Sequence, residues 1–327
     1  NGAKIIVTEK KINGLKNGIL FIQSNNIRKL LAEILFKINN KIPNNIIAVT
    51  GTNGKSSIAD FYYQILDLNN KKVASIGTLG VKLKKYKKDL SNTTIDPIQL
   101  SKILNNLKKQ NIDNVIMEAS SHGLSQNRLD GLLFNTGIFT NLSQDHLDYH
   151  KNTKNYLKAK LYLFDKLIKK KGNIITDEKI PEFKKIKNIA TNKNLNLFAL
   201  LDKKNSFQFL SHQYEGEYQL LEIKYKNSIH KIKLNLIGKV QFKNVLMAVI
   251  ASIKSSINIE DILNTMPKIK SVEGRFERVG RIKNNSKVIL DYAHTPDALK
   301  TCLQNINEQF PGKKITLVFG CGGNRDQ

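Results

Sequence analysis

The sequence predicts an α/β protein, a mainly parallel sheet flanked by helices and built around a phosphate-binding loop. An apolar strand, Ile46-Ile47-Ala48-Val49, runs straight into a glycine-rich turn, Gly51-Thr52-Asn53-Gly54-Lys55-Ser56. An amphipathic segment with Ile58, Phe61, Tyr62, Ile65 and Leu66 at helical spacing follows it. The strand, turn, helix order then repeats along the chain, which is the pattern of a parallel sheet covered by crossover helices.

Taken in order, residues 4–7 and 18–22 read as short strands, and 25–38 carries a helical stripe (Ile27, Leu30, Leu31, Ile34, Leu35, Ile38) that Pro43 stops. Strands are then expected at 46–50, 73–77, 114–118, 135–140 and 173–176, with helices near 56–68, 96–110, 152–170 and 239–254. Residues 196–236 alternate and are rich in Tyr, Phe, Ile and Leu, so an antiparallel excursion is expected there. A second α/β unit opens after Gly274, with a strand at 287–291, a helix at 296–308 and a strand at 315–319.

The 327 residues, 40% of them apolar, exceed one small domain and can bury a large core. No apolar run approaches the ~20 residues a membrane span needs, and no leader pattern is present, so a cytoplasmic protein is expected. Two cysteines, Cys302 and Cys321, exclude a disulfide framework and a multi-cysteine metal site. The formal charge of +26 raises nucleic-acid binding as an alternative. Against it, the charge is mostly lysine spread through expected loops such as 82–88 and 166–171, and arginine occurs only at 28, 128, 275, 278, 281 and 325. The chain does not begin with methionine and stops at Gln327 inside a glycine-rich segment, so it is expected to be part of a longer protein and inactive, or nearly so, alone.

In the turn, Gly51 and Gly54 free the backbone to aim successive N–H groups at phosphate oxygens, and the helix N-terminus adds its dipole. Lys55 would neutralise the terminal phosphates and the Ser56 hydroxyl would reach Mg²⁺. Val49 stands where the common G-x4-G-K-[ST] spacing needs glycine, so the loop is a shorter variant. Glu118 closes the strand 114–118, at the sheet edge that faces the ligand crevice. His146 follows the strand 135–140 within Thr140-Asn-Leu-Ser-Gln-Asp-His-Leu-Asp-Tyr-His. Each taken singly has a plainer reading, a solvated strand-end acid or a structural histidine. Together, Ser56, Glu118 and His146 come from three strand ends, and Mg²⁺ needs few protein ligands beside phosphate and water.

The chain resembles the Mur ligases. The resemblance rests on the motifs already quoted together with Asn92-Thr93-Thr94, Met117-Glu-Ala-Ser-Ser-His-Gly-Leu, Gly274-Arg-Phe-Glu-Arg, Asp291-Tyr-Ala-His-Thr-Pro-Asp and Phe319-Gly-Cys-Gly-Gly-Asn-Arg-Asp, in family order over nearly the whole chain. It implies a remnant of an N-terminal UDP-binding domain at 1–42, a central ATPase domain at 43–270, and the start of a Rossmann-like amino-acid-adding domain at 271–327. It also implies ATP and Mg²⁺ as cofactors, and a UDP-N-acetylmuramoyl dipeptide and a diamino acid, lysine or meso-diaminopimelate, as substrates of a monomeric enzyme without nucleic-acid or membrane partners.

By the same resemblance, Gly51, Thr52, Asn53, Gly54, Lys55, Ser56, Ser57, Asn244, Arg275, Asp291 and His294 fall to ATP. Asn92, Thr93, Thr94, Ser120, Gln126, Arg128 and Arg325 fall to the other substrates. Ser56, Glu118, His146 and Lys160 fall to metal, Lys160 as a carbamate, and Lys55, Lys160 and His146 are the catalytic set. The sequence departs from the family pattern at Gln241, where an asparagine is usual, and at Glu273, where a proline is usual. Folylpolyglutamate synthase, which shares the short loop, is the rival ligase. A P-loop switch or motor would need the standard loop spacing and switch elements, which are not found. Ser120, Ser121 and His122 have no acid partner or nucleophile elbow to make a hydrolase.

Overall fold

The computed structural model describes residues 2–200 and 207–320. It opens with a small sheet of β1 (Ile5–Thr8), β2 (Gly14–Lys16) and β3 (Ile19–Gln23), with β3 in the middle. α1 (Ile27–Ile38) starts at Asn26, whose side chain accepts a hydrogen bond from the Lys29 N–H and so satisfies one free donor of the first turn. Then come β4 (Asn45–Thr50), α2 (Lys55–Leu68), β5 (Val73–Gly77), β6 (Gly80–Leu83), β7 (Tyr86–Lys88), α3 (Pro97–Lys109), β8 (Asn114–Glu118), α4 (Ser121–Ser125) and β9 (Phe134–Phe139). α5 (Leu147–His150), α6 (Thr153–Lys166), β10 (Ile168–Thr176), α7 (Phe183–Asn192) and β11 (Asn196–Ala199) complete the central unit's run of alternating elements.

One eight-stranded sheet takes the order β11-β10-β9-β4-β8-β5-β6-β7. β11 through β5 are parallel, and β6 and β7 add an antiparallel hairpin to the edge. From β4 the chain moves outward to β5, returns to β8 beside β4, and crosses to β9 on β4's other flank. The loops leaving β4 and β8 at their carboxyl ends therefore part in opposite directions, which opens a crevice over β4, β8 and β9.

β4 is buried on both faces. Ile47 and Val49 enter one core with α2, while Ile46 and Ala48 enter the other with α3 and α6. This period-two division of a continuous apolar run is what a central parallel strand requires. Ala32 and Phe36 of α1 belong to the second core, so α1 packs with the central unit, although the sequence places it with residues 1–42.

Beyond β11, β12 (Phe207–Glu215), β13 (Tyr218–Tyr225) and β14 (Ser228–Leu234) form an antiparallel meander against α2 and α8 (Lys239–Lys254). α9 (Ile259–Thr265), the antiparallel pair β15 (Glu277–Ile282) and β16 (Ser286–Leu290), and α10 (Pro296–Gln309) follow. A small third core joins Ile237, Phe276 and Cys302. No helix among the described residues is long and apolar enough to cross a membrane.

Four expectations are corrected. The lysine-rich stretch 82–88 is not a loop but most of a hairpin: Lys82 faces Lys87 across the strands and pairs with the buried Asp60, while Lys88 stands opposite the buried Val81. The helix expected to 170 ends at Lys166, and Ile168–Thr176 joins the sheet, because Ile168, Ile174 and Ile175 have a parallel neighbour in β9 to pair with. Residues 196–199, assigned to the antiparallel excursion, are instead the outer parallel strand of the main sheet. Residues 315–319 form no strand: Leu317, Val318 and Phe319 are 48%, 94% and 63% exposed, and no described strand lies beside them. Arg325 and Cys321 lie outside the described residues.

Candidate active site

The glycine turn sits at the carboxyl end of β4, and α2 begins at Lys55. Gly54 precedes it at φ +90°, and a Cβ there would come within 2.8 Å of Asn244 Oδ1. Gly51 has φ +143°, and a Cβ would collide with Thr140 Oγ1 and lie 3.1 Å from the Asn141 nitrogen. Both glycines are thus required by conformation and by contact. Gly51→Ala should destabilise the protein by about 1–3 kcal/mol through overpacking and abolish ATP binding. Calorimetry on the full-length protein reads both, and unchanged ATP affinity would remove the turn as the nucleotide cradle.

The segment after β9 braces the turn. Thr140 Oγ1 donates to the Asn53 carbonyl at 2.6 Å, and Asn141 Oδ1 accepts from the Asn53 N–H at 3.0 Å. The Ser143 N–H donates to Thr52 Oγ1 at 3.0 Å, and the Tyr156 hydroxyl lies 3.2 Å from the same oxygen. Ser57 is buried in the first turn of α2. Thr140, Ser143 and Tyr156 are not among the site residues expected from the sequence, because their contribution is to the shape of the loop and leaves no spacing signal.

Lys55 Nζ donates to the carbonyls of Gly51 at 3.0 Å and Thr52 at 2.8 Å. Lys160, 1% exposed, reaches the same Gly51 carbonyl at 2.7 Å from α6, over the Tyr156 ring. Two ammonium groups on one carbonyl cannot both stay charged cheaply. Burial lowers the pKa of each; Glu118 and Asp145 act against this at Lys55, whereas at Lys160 the positive charge of Lys55 drives it lower still and Asp145 alone opposes. Lys160 is the one held well below the ordinary lysine range.

Glu118 ends β8 and is 2% exposed. Its carboxylate accepts from Ser56 Oγ at 2.9 Å, the Thr78 N–H at 2.8 Å and Thr78 Oγ1 at 3.2 Å. Gly77 allows this approach, since a Cβ there would collide with Glu118 Oε1. Thr78 is another residue that sequence reasoning misses, and the Gly-Thr step at the end of β5 is its only signal. Among the described residues no three His, Cys, Asp or Glu side chains gather into a metal cluster. A carboxylate and a hydroxyl side by side are instead the hard oxygen donors that Mg²⁺ takes together with phosphate and water, so the pair fits that ion.

His146 has φ +53°, and its Nε2 lies 3.4 Å from Asp145 Oδ2. Its ring meets His122 edge-on at 4.8 Å, and His122 in turn packs on Tyr149 and His150. Burial and the neighbouring cations lower the His146 pKa, and His150 is brought down to about 4, chiefly by burial.

Thr94 is buried, and its hydroxyl donates to the Glu118 carbonyl at 2.8 Å and accepts from the Ser120 N–H at 2.9 Å. That geometry fixes the turn after β8; Thr93 is more open, its hydroxyl 3.0 Å from Thr78 Oγ1. Ser120 caps α4 by accepting from the Gly123 N–H. Arg128 grips Gln126 Oε1 through Nε at 3.1 Å and Nη2 at 2.7 Å, and its Nη1 donates to the Thr94 carbonyl. Asn92 is exposed and bonded to Ser91.

At the other side, Asn244 donates to Gln241 Oε1 at 3.2 Å, and Gln241 Nε2 donates to the Arg275 carbonyl at 3.2 Å. The longer side chain of Gln241 thereby spans from α8 to the Gly274–Arg275 turn. Arg275 lies over the Tyr292 ring at 4.3 Å, and its charge is felt by Lys55. Asp291 accepts from the N–H groups of Phe276 and Ala293, each at 2.9 Å, and burial raises its pKa. His294 is bonded through Nδ1 to the Tyr292 carbonyl at 2.9 Å.

Similarity to known proteins covers the same ground. Residues 49–252 match the Mur ligase middle domain, and residues 274–327 match the Mur ligase glutamate ligase domain. A UDP-N-acetylmuramoyl-L-alanyl-D-glutamate–2,6-diaminopimelate ligase of Rickettsia montanensis is 35% identical over 331 residues, covering 100% of this chain and 68% of the relative. The protein of that name from Rickettsia bellii is 37% identical over 330 residues, with 99% and 68% covered. A solved structure of a ligase with this name superposes with a TM-score of 0.77 at 26% identity, over 98% of this chain and 65% of that one. A folylpolyglutamate synthase of Mycobacterium tuberculosis complexed with ADP shares the fold, with a TM-score of 0.70 at 14% identity over 86% of this chain and 70% of that one. The chain spans about two thirds of the length of the diaminopimelate ligases it matches. With the short phosphate loop, the buried Ser56–Glu118 pair and both domain matches in place, the chain belongs to the Mur ligases, a family of ATP-dependent amide ligases.

Proposed function

We propose that the protein containing this chain joins 2,6-diaminopimelate to UDP-N-acetylmuramoyl-L-alanyl-D-glutamate at the expense of ATP, in the cytoplasm, as a step of peptidoglycan synthesis. The observation that carries it is the convergence of Lys55, Ser56 and Glu118 at the ends of β4 and β8, in a chain 35–37% identical to ligases of that name.

A carboxylate and an amine do not condense spontaneously in water, so the carboxylate must first acquire a leaving group. The acceptor's carboxylate attacks the γ-phosphorus of ATP, displacing ADP and giving an acyl phosphate. The diamino acid's amine then attacks the acyl carbon, and phosphate leaves. Bound at Ser56 and Glu118, Mg²⁺ would supply charge neutralisation at the phosphates. Lys55 leaves the Gly51 and Thr52 carbonyls for a charged phosphate oxygen, a stronger acceptor than a neutral carbonyl. The loop N–H groups hold the phosphates in line, so positioning and preorganised charge carry the catalysis. Thr93, Ser120 and Arg128 face the acceptor, Arg275 with Asn244 faces the nucleotide, and His146 and a carbamylated Lys160 add to the metal side. Residues 1–42, 43–270 and 271–327 divide as acceptor-side remnant, ATPase and amino-acid-adding units.

The test is phosphate release from ATP by the full-length protein with each substrate omitted in turn. Release that needs both the UDP-linked dipeptide and diaminopimelate, and yields the tripeptide, is expected. ATP turnover indifferent to the dipeptide, or driven by a folate acceptor, would overturn the assignment.

A further inference from the structure

The residue that the proposed chemistry does not use, yet which the structure presents most deliberately, is Tyr149. It lies on α5 and is 41% exposed, so its ring packs against His122 at 4.2 Å while its hydroxyl faces open space. That hydroxyl is not freely oriented. Gln126 Oε1 is held by two N–H groups of Arg128, which forces the Gln126 amide nitrogen outward, and Nε2 donates to the Tyr149 oxygen at 3.2 Å. An amide nitrogen can only donate, so the phenol oxygen is an acceptor there whatever else it does. Ser125 Oγ lies 3.2 Å from the same oxygen and 3.2 Å from the His122 carbonyl, and its single proton can turn to either. When it turns to Tyr149, the phenol oxygen accepts two hydrogen bonds and its own proton is released for an outside acceptor.

The surroundings favour an anion as that acceptor. The hydrogen bond from Ser125, then that from Gln126 and the charges of Arg28 and Arg128, lower the phenol's pKa from its ordinary value against the opposing effect of burial. A phenol polarised in this way is a better donor while still protonated at neutral pH. The reacting carboxylate must sit at Lys55 and the Ser56–Glu118 pair, where the phosphoryl group is. Tyr149 is bonded to the α4 side of the crevice instead, through Ser125 and Gln126.

We propose that the Tyr149 hydroxyl donates a hydrogen bond to the non-reacting carboxylate of the acceptor's terminal glutamate, in a subsite completed by Arg128 and shaped by Gln126 and Ser125. This deepens the acceptor assignment above and rests on it. The hydroxyl favours a charged carboxylate over an amide, whose oxygen is the weaker acceptor, and by holding it fixes which of the two carboxylates meets ATP.

The experiment uses the full-length protein with Tyr149→Phe, which keeps the ring on His122. Steady-state ligation is measured with the natural acceptor and with an acceptor whose non-reacting glutamate carboxylate is a primary amide. With the natural acceptor, KM should rise by about tenfold, the size of one lost hydrogen bond to a charged group, with kcat and the KM for ATP within about twofold. With the amide acceptor, whose uncharged carbonyl accepts the bond more weakly, the same substitution should raise KM by no more than about threefold. A parent protein that ligates normally but a Phe variant with unchanged acceptor KM would overturn the proposal and leave the ligase assignment standing. An equal loss on both acceptors would overturn it as well, by making Tyr149 a packing residue. A parent protein that does not ligate at all would instead refute the ligase assignment itself.

Discussion

Lys55→Ala in the full-length protein should lower kcat for ligation by about 10³-fold, on the scale set by removing one preorganised charge or donor from a transition state. Its melting temperature should stay within a few degrees of the parent's. Both expectations come from the contacts of the ammonium. Among the described residues Lys55 Nζ donates to the Gly51 and Thr52 carbonyls, and Gly51 keeps a second donor in Lys160. The turn is braced independently by Thr140, Asn141, Ser143 and Tyr156, so the loop survives truncation of Lys55. What is lost is a cation at the place where negative charge moves from the γ-phosphoryl group toward ADP. Ground-state ATP binding retains the backbone donors and should weaken less than kcat falls, which separates Lys55 from a merely affinity-giving residue. Undiminished tripeptide formation by this variant would end the phosphoryl-transfer reading of the loop.

The turn at 51–56 is legible from sequence because its requirements are local: two glycines, a lysine and a hydroxyl between a strand and a helix. Its bracing is not, because Thr140 and Asn141 act across 87 or 88 residues of chain and carry no spacing rule. The same division runs through the fold. β4 and β8 stand out as apolar runs, whereas the β6–β7 hairpin is hidden by its lysines, which can still sit in a sheet because their stems pack and their charges find partners; Lys82 ends on Asp60 and over the Tyr63 ring. No residue in the run Lys166-Leu-Ile-Lys-Lys-Lys breaks a helix, so the switch from α6 to β10 is decided by pairing with β9, a long-range fact. Thr94 and Gln126 are legible as members of a polar constellation, but not that their side chains grip the protein's own backbone and Tyr149.

Lys160→Met should separate stability from activity. The parent holds a lysine that is 1% exposed, with Lys55 on the same carbonyl, and both burial and that like charge depress its pKa. Between the folded pKa and the unfolded value near 10.4, the unfolded chain binds the extra proton, so parent stability rises with pH through that window and the penalty is largest below it. Methionine fills a similar volume without a proton to lose, and the Gly51 carbonyl keeps its bond from Lys55. The variant should therefore unfold within ~1 kcal/mol of the parent or above it at neutral pH, with a flatter pH dependence on the alkaline side. Ligation, by contrast, should fall at least ~10²-fold. A neutral amine is the form that adds CO₂, and a carbamate would put an anion beside Lys55 that attracts its ammonium and can face a metal. Parent activity should then drop in CO₂-depleted buffer and recover on adding bicarbonate, and the loss should deepen as pH falls through the depressed Lys160 pKa. The Met variant should show no bicarbonate response. A parent indifferent to bicarbonate, or a Met variant that ligates at the parent's rate, would return Lys160 to the role of a buried lysine that only supports the loop.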